Sequence, residues 1–146
     1  MRIERISEIS DSVLDLAAVA RNEGYKNIDT LTREYRSGLN RFRDAGEGLF
    51  GVVEDGRLLG IGGLNVDPYE NSWEVGRVRR LYVHPASRRD GVASLLMREI
   101  EALATQNFSR VQLFTTSSTA RRFHTSLGYR VVESGDKVSH EKHFNL

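Results

Sequence analysis

The sequence contains no cysteine, only two prolines and a single tryptophan among its 146 residues. The absence of cysteine excludes disulfides, thiolate metal ligands and a cysteine nucleophile that would carry an acyl group. A strong charge of one sign is also missing, because 21 Lys and Arg residues nearly balance 20 Asp and Glu residues and leave a net charge of +1. A near-neutral chain has no general attraction to polyanions, so we expect neither nucleic acid nor a membrane as a partner.

Long hydrophobic runs are lacking as well. The apolar stretches span a few residues, whereas a helix that crosses a bilayer needs about 20, and residues 1–10 contain no continuous apolar segment of the kind found in secretory signals. Apolar residues nonetheless make up 39% of the chain and charged residues 28%, which is typical of a globular protein. We therefore expect one cytoplasmic domain over residues 1–146, as a monomer or homodimer.

The spacing of apolar residues predicts an alternation of helices and strands. Helices are predicted at residues 11–23, 91–106 and 119–127, and from 31 to 42, where Leu31, Tyr35, Leu39 and Phe42 would share one face. Strands are predicted at 49–53, 58–64, 73–83, 110–115, 129–133 and 138–144, with a hairpin turn at 55–56 and a last turn at 134–136. This order predicts a mixed α/β layer whose sheet is covered by helices on both faces.

The long strand at 73–83 does not alternate strictly, because its apolar residues stand at 75, 78, 81 and 83. A β-bulge between Val78 and Leu81 would place Val78, Leu81 and Val83 on one face and would free backbone groups beside them. A strand that is buried on both faces would need no alternation either. The sequence leaves both interpretations open.

The segment after this strand has the composition of an anion-binding turn. Pro85 ends the strand, Arg88 and Arg89 follow, and Gly91 and Ala93 stand where the next helix begins. The first amides of a helix lack intrahelical partners and carry partial positive charge, so they attract phosphate groups, which small residues allow to approach. A pyrophosphate is the ligand that this turn suits best, although a capped helix with solvated arginines would share these residues.

With these residues the chain resembles the GNAT superfamily of acyl-CoA-dependent N-acyltransferases. The family has a pyrophosphate signature, Q/R-x-x-G-x-G/A, after a strand of the Leu-Tyr-Val-x-Pro type, and a second signature further along the chain. The matching residues are Arg88, Gly91 and Ala93 in the first signature and Ala120, Phe123, Gly128 and Tyr129 in the second. The resemblance implies the fold of that family: a central mixed, mostly antiparallel sheet of six to seven strands with helices on both faces.

The resemblance also implies acetyl-CoA as the co-substrate, without a metal, in a gap between splayed strands at 73–83 and 110–115. The backbone of Leu81 and Val83 would pair with the pantetheine amides, and a backbone N–H there would polarise the thioester carbonyl. The residues implied for the pyrophosphate are Arg88, Arg89, Asp90, Gly91, Val92, Ala93 and Ser94. Those implied for the side of the pantetheine are Ser117, Ala120 and Phe123.

The chain departs from the family pattern at the positions that would move protons. Family members often have a tyrosine after the Phe of the second signature as a general acid, and this chain has His124 there. Some members have a glutamate base where this chain has Arg77, so Glu74 is the predicted base, unless positioning alone suffices. The alternatives that remain open are Tyr82 or Tyr129 as proton donors and Glu70, acting through water, as the base.

The sequence thus predicts an acyl-CoA N-acyltransferase that transfers acetyl from acetyl-CoA to a primary amine of a small molecule or peptide. Since no cysteine can carry the acyl group, the amine would attack the thioester directly in a ternary complex. A non-catalytic acyl-CoA-binding sensor on the same fold is the alternative.

Two further sets of residues bear on ligands. The charge of the acceptor stays open, because a basic run at 77–80 and the acidic pair Asp67 and Glu70 favour opposite charges. His140 and His143 stand three residues apart in a predicted strand, so they would point to opposite faces, which argues against a zinc site.

Overall fold

The computed structural model describes residues 1–133 and 135–144, which form seven strands and four helices. In chain order these are β1 (Arg2–Arg5), α1 (Asp11–Asn22), α2 (Asn27–Ser37), β2 (Gly48–Glu54), β3 (Arg57–Val66), β4 (Val75–Val83), α3 (Val92–Asn107), β5 (Arg110–Leu113), α4 (Ser118–Ser126), β6 (Arg130–Val131) and β7 (His140–His143). A single turn of 3₁₀ helix, Pro85–Ser87, stands between β4 and α3. Ser134, which the sequence assigns to the last turn, lies outside the described residues.

All seven strands belong to one sheet with the spatial order β1-β2-β3-β4-β5-β7-β6. Every neighbouring pair is antiparallel except β4 and β5, which run parallel. One face of the sheet packs against α3 through buried residues such as Leu96 and Ile100. The other face packs against α1 and α2 through residues such as Leu16 and Leu31. The predicted mixed, mostly antiparallel sheet with helices on both faces is therefore confirmed.

The hairpin between β2 and β3 forms as its turn residues predict. Asp55 and Gly56 have φ values of 52° and 75°, so both adopt the left-handed backbone that the favoured two-residue hairpin turns require. Glu54 pairs directly with Arg57 across the turn. The two residues Asp55 and Gly56 were sufficient to predict this turn from the sequence.

Several boundaries differ from the prediction, and one strand was not predicted at all. Helix α2 ends at Ser37 because Gly38 takes a left-handed conformation with φ 84°. Leu39 is consequently 77% exposed, and Phe42 is buried outside the helix. Strand β4 begins at Val75, so Trp73 precedes it and is 82% exposed. Strand β1 was not predicted, because its residues Arg-Ile-Glu-Arg include only one apolar side chain.

Of the two interpretations that the sequence leaves open for β4, the structure shows the β-bulge. Between β3 and β4 the register shifts after Ile61–Tyr82, and Gly63 pairs with Arg79, so that β4 contains one extra residue. That residue, Arg80, has a φ of 61°. The shift places Val78, Leu81 and Val83 in the core on the α3 side and Tyr82 in the core beneath α1 and α2.

Candidate functional site

An opening lies between β4 and β5. The two parallel strands pair at only three positions, Val75 with Arg110, Gly76 with Val111 and Arg77 with Gln112. Beyond Arg77, β4 continues to Val83 without pairing to β5. The sheet is therefore paired at one end of these strands and unpaired at the other, where β5 itself ends at Leu113, and the splay of the two strands stays a prediction.

The edge of β4 that faces this opening has backbone groups without a strand partner, although the Val83 carbonyl already accepts from Arg88 Nε at 3.2 Å. The N–H of His84 donates to the carbonyl of Leu59 at 2.8 Å, and Tyr82, two residues earlier, stands opposite Ile61 in the same register. Since alternate residues of a strand direct their N–H and C=O groups to opposite sides, the peptide groups of Leu81 and Val83 face the opening. These are the two positions predicted to pair with pantetheine, a role that stays a prediction.

The amino terminus of α3 lies at the open end of β4. Gly91 precedes the helix with a φ of 84°, and within residues 1–133 and 135–144 no side chain caps the first turn. A Cβ built on Gly91 would meet no atom within 4 Å, so the space beside Gly91 is open. Val92 is 1% exposed, which leaves its backbone N–H as its only contribution to a ligand site.

The other predicted pyrophosphate residues surround this amino terminus. Arg88, Arg89, Asp90 and Ser94 are exposed, and Ala93 is half-buried. Arg89 has a φ of 71°, which is uncommon for a residue with a side chain. The residues present thus fit a diphosphate: unpartnered amides, small side chains and two arginines at one surface.

Arg88 also has a partner that the sequence did not reveal. Its Nη2 and Nη1 donate to the two carboxylate oxygens of Glu23 at 2.6 and 3.0 Å, and its Nε donates to the carbonyl of Val83 at 3.2 Å. The Tyr82 hydroxyl donates to the same carboxylate. The Arg88 guanidinium, followed by the Tyr82 hydroxyl, lowers the pKa of Glu23. The contact joins the turn that follows α1 to the turn between β4 and α3.

Helix α4 begins beside the open end of β5. The hydroxyl of Ser117 accepts a hydrogen bond from the N–H of Ala120 at 3.3 Å and so caps the helix. Phe123 is half-buried against the core on the α3 side. The predicted pantetheine-lining residues Ser117, Ala120 and Phe123 therefore share one helix, and their contact with a ligand stays a prediction.

His124, the predicted general acid, is buried in the structure. Its exposed fraction is 4%, and its ring lies between those of Phe123 and Tyr129 at centroid distances of 5.2 and 5.3 Å. The Nδ1 atom is buried without a hydrogen-bond partner among the described residues. Burial, and to a smaller extent the nearby His140, lowers the pKa of His124 to about 4. The imidazole is therefore neutral at physiological pH.

The two alternative donors are already hydrogen-bonded. Tyr129 is 2% exposed and donates to Glu101 at 3.0 Å, whereas Tyr82 donates to Glu23. Burial raises the pKa of both phenols, and their neighbouring carboxylates add to the effect. Each hydroxyl would have to leave a carboxylate in order to protonate a thiolate.

The closed end of the β4–β5 pair contains a buried ion pair. Arg77 Nε donates to Asp67 Oδ2 at 2.9 Å, and the two side chains are 5% and 0% exposed. Gln112 of β5 donates to the same oxygen at 3.1 Å and to Glu70 at 3.3 Å. Arg77 thus replaces the family's glutamate with a residue that fastens the loop before β4 to the sheet.

Glu74, the predicted base, lies at this closed end. It is exposed, and its backbone carbonyl accepts the N–H of Ser109 at 2.8 Å. At roughly 3.3 Å per strand residue, it stands about 13 Å along β4 from Val78, where the opening begins. Proton transfer to Glu74 would therefore have to pass through water, and its role as base stays a prediction.

The described part of the chain shows neither a cluster of metal ligands nor a helix suited to a membrane. Residues 1–133 and 135–144 contain no group of three or more His, Asp or Glu side chains arranged to hold a metal ion. His140 is fully buried, whereas His143 is exposed and lies 3.1 Å from Glu141. Among the same residues, no helix combines the length and apolar character that a membrane span needs.

Known structures share this architecture over nearly the whole chain. A protein from an Exiguobacterium species that is itself assigned as an acetyltransferase superposes with a TM-score of 0.85 at 28% identity, covering 97% of this chain and 92% of its own. An aminoglycoside antibiotic 6'-N-acetyltransferase from Acinetobacter haemolyticus has a TM-score of 0.69 at 24% identity, covering 99% and 100%. A ribosomal-protein-alanine N-acetyltransferase from Brucella melitensis has a TM-score of 0.74 at 16% identity, covering 99% and 100%. The last two likenesses show the fold alone.

Comparison of sequences identifies the family. No curated protein sequence matches the chain. The model of the acetyltransferase (GNAT) family, in contrast, matches residues 13–129, which include the turn before α3, all of α3 and all of α4. The opening between β4 and β5 and the uncapped start of α3 both lie within the matched region. The chain therefore belongs to the GNAT acetyltransferase family.

Proposed function

We propose that this protein is an acetyl-CoA-dependent N-acetyltransferase that acts on a primary amine of a small molecule or peptide. The observation that carries the proposal is the opening between β4 and β5 with the uncapped amino terminus of α3 at its end. A strand edge with unpaired peptide groups suits an extended amide-containing chain, and a free helix start suits a diphosphate. Pantetheine diphosphate combines these two features in one molecule.

The reaction follows from direct attack. The neutral amine nitrogen forms a bond to the thioester carbon, the C–S bond breaks, the CoA thiolate leaves and takes up a proton, and the new amide nitrogen loses one. A backbone N–H at the opening would stabilise the oxyanion that develops on the carbonyl oxygen. Positioning of the two substrates supplies a large part of the acceleration. No acyl-enzyme is needed, which agrees with a chain without cysteine.

The surroundings of His124 and Glu74 determine how each could transfer a proton. His124 is neutral at physiological pH because burial lowers its pKa to about 4. As the acid it would have to act as the imidazolium, because the N–H of a neutral imidazole is too weak an acid to protonate a thiolate, so it would first have to take up a proton. Glu74 would take the proton of the amine through water, because it lies at the closed end of β4. Both roles belong to the proposal.

Binding of acetyl-CoA is the first test. At a hundred times its dissociation constant, a ligand stabilises the folded state by about 2.7 kcal/mol, which raises the Tm of a domain of this size by roughly 5–10 °C. Gly91→Asp would place a carboxylate in front of the α3 amides and should weaken acetyl-CoA binding at least about tenfold.

Gly56→Asp is the matched control for this variant. Gly56 also has a positive φ, 75°, and open space around its Cβ position, so it carries the same backbone strain and the same added charge. We expect Gly56→Asp to bind acetyl-CoA as the wild type does. Equal affinity of the two variants would refute the pyrophosphate assignment, and the absence of a Tm shift in the wild type would refute acyl-CoA binding altogether.

A non-catalytic acyl-CoA sensor is the second candidate. Two observations favour a sensor. Arg77, at the position where some family members have a glutamate base, is held in an ion pair with Asp67, and His124 is buried. The two functions differ in turnover: an enzyme releases CoA thiol when acetyl-CoA is mixed with a panel of amines, whereas a sensor binds acetyl-CoA without thiol release. His124→Phe should slow thiol release and leave acetyl-CoA affinity unchanged if His124 is the acid.

A further inference from the structure

The face of the sheet that α1 and α2 cover carries a group of cations around one exposed tyrosine. Tyr69, in the loop before β4, is 54% exposed. The Arg77 guanidinium lies 4.8 Å from the centroid of its ring, and Lys137 Nζ lies 5.0 Å from it. A ring flanked by two cations is held firmly, because its negative π face attracts both.

The bulge of β4 brings two more cations to the same place. Val78 faces the α3 side of the sheet, so the next residue, Arg79, faces the α1 and α2 side. Because the bulge adds one residue to β4, Arg80 lies on the same side as Arg79. Arg80 is paired with Glu34 of α2 at 3.3 Å, and both side chains are about four-fifths buried, at 18% and 19% exposure. Burial, followed by the charge of the adjacent Arg79, lowers the pKa of Arg80. The two guanidinium groups are thus close neighbours beside the opening.

The carboxylates near Tyr69 are already engaged. Asp67 is paired with Arg77, and Glu34 with Arg80. Glu70 accepts from Gln112 at 3.3 Å and lies 3.7 Å from Arg110. Each of these three carboxylates therefore already has a cationic partner within 4.0 Å. Glu74 remains exposed, at the start of β4.

Two cations of the group lack a neutralising partner. Within residues 1–133 and 135–144, neither Arg79 nor Lys137 has a carboxylate oxygen within 4.0 Å. Around Tyr69 there are three paired carboxylates, Glu34, Asp67 and Glu70, and five cations, Arg77, Arg79, Arg80, Arg110 and Lys137, so this face carries an excess of about two positive charges. An acceptor that enters the opening from the α2 side would pass between these residues.

On this basis, and resting on the proposed acetyltransferase function, we propose that the acceptor amine also bears an anionic group, which Arg79 and Lys137 bind beside Tyr69. A carboxylate is the group that such a site takes from an amino acid or from a peptide with a free carboxyl terminus. Guanidinium and ammonium groups form charge-assisted hydrogen bonds with it. Polyamines and other purely cationic amines would be repelled at the same place.

Pairs of acceptors that differ only in this charge provide the test. Dipeptides would be offered as free acids and as carboxyl-terminal amides, with phosphoethanolamine against ethanolamine to distinguish phosphate from carboxylate, and with spermidine as a cationic amine. Thiol release gives kcat and KM for each. We expect wild-type kcat/KM to favour the anionic member of a pair roughly tenfold to a hundredfold.

Two variants assign this preference to the residues. Arg79→Gln and Lys137→Met should each raise the KM for the anionic acceptor about tenfold, with little change for the amide and none in the KM for acetyl-CoA. Arg2→Gln is the control, because Arg2 is an exposed arginine on β1, three strands away from β4. It should leave all constants unchanged.

The outcomes separate this inference from the proposed function. Equal or better transfer to amides and polyamines would refute the anion site and leave the transferase intact. If either variant fails to fold, the comparison of acid and amide in the wild type still decides. Binding of acetyl-CoA without transfer to any acceptor would refute the transferase and this inference with it.

Discussion

The imidazole of His124 lies between two aromatic rings, where it is 4% exposed and no described group bonds to its Nδ1. A proton added to this ring would lose its hydration without gaining an acceptor, which is why burial lowers the pKa of His124 to about 4. In the unfolded chain a histidine has a pKa of about 6.5. Between these two values the unfolded state binds a proton that the folded state does not.

We therefore expect protonation to destabilise the fold below pH 6.5. The contribution of His124 is fully present above its unfolded pKa and is lost as the pH falls toward 4, so the free energy of unfolding should be roughly 2 kcal/mol lower at pH 5 than at pH 8 on this account. His124→Phe keeps a ring without a titrating group and should remove that part of the pH dependence in urea unfolding.

A core substitution that does not titrate serves as the control for this experiment. Ile100→Val shortens a fully buried side chain of α3 and should cost about 0.5–1.5 kcal/mol at both pH values. If wild type and His124→Phe lose the same stability between pH 8 and pH 5, His124 is not the group that titrates, and its assignment as a buried neutral imidazole is wrong.

The sequence singled out the residues of the turn that we predict to bind phosphate, but not the partners of these residues. Arg88 and Gly91 stand out by local spacing, and the structure places them at an uncapped helix start. Glu23, which binds Arg88, is 65 residues away in the chain. Asp67, which binds Arg77, lies in the loop before β4 and belongs to neither family signature. Such pairings depend on how the elements pack, and no local pattern encodes them.

Helix α3 packs directly against Gly60 of β3. A Cβ built on Gly60 would lie 2.6 Å from Val92 Cγ1 and 3.2 Å from Leu96 Cδ1, so only glycine lets the helix sit at this height. Val92 is the first residue of α3. The contact that seats the helix therefore also sets the position of the amides that would hold the pyrophosphate.

Gly60→Ala should affect both stability and binding. Overpacking at this contact should lower the free energy of unfolding by about 1–3 kcal/mol, and lifting the first turn of α3 should weaken acetyl-CoA binding roughly threefold or more. Urea unfolding and titration calorimetry measure the two effects.

Gly51→Ala separates them. A Cβ on Gly51 would lie 2.5 Å from Leu58 Cδ1 and 2.9 Å from Ile6 Cδ1. This overlap is about as severe as the one at Gly60, but it involves side chains that do not belong to α3. This variant should lose similar stability and keep its affinity for acetyl-CoA. A parallel loss of affinity in both variants would mean that general destabilisation, and not the seat of α3, governs binding.

Elements with a strong local pattern were predictable, and those set by context were not. The spacing of Val78, Leu81 and Val83 in β4 was compatible both with a bulge and with a strand buried on both faces, and the register with β3 decides for the bulge. The carboxyl end of α2 was misplaced because Leu39 and Phe42 continue the helical spacing, although Gly38 turns the chain before them. Strand β1 is held by its pairing with β2, which is a tertiary contact.

The whole sheet consists of two antiparallel parts, β1–β4 and β5–β7, that meet only at the three paired positions of β4 and β5. The buried Arg77–Asp67 pair stands beside this joint. Gln112 of β5 donates to Asp67 at 3.1 Å, and Arg77 Nη2 donates to the carbonyl of Lys137 at 2.6 Å. The same few residues thus join β4, β5 and the loop before β7, so that the sheet stays closed at one end while it opens at the other.

Neutralising Asp67 should therefore weaken the whole molecule. Asp67→Asn keeps the shape of the side chain but leaves the Arg77 charge buried without a counter-charge, which costs about 3–5 kcal/mol. Asp29→Asn is the matched control, because Asp29 pairs with Arg21 at the surface, where the side chains are 35% and 59% exposed, and such a pair contributes less than about 1 kcal/mol. The double variant Asp67→Asn, Arg77→Gln should recover part of the loss, since it removes the unpaired charge. Urea unfolding at neutral pH measures all three, and a loss at Asp67 no larger than that at Asp29 would show that this ion pair does not hold the two parts of the sheet together.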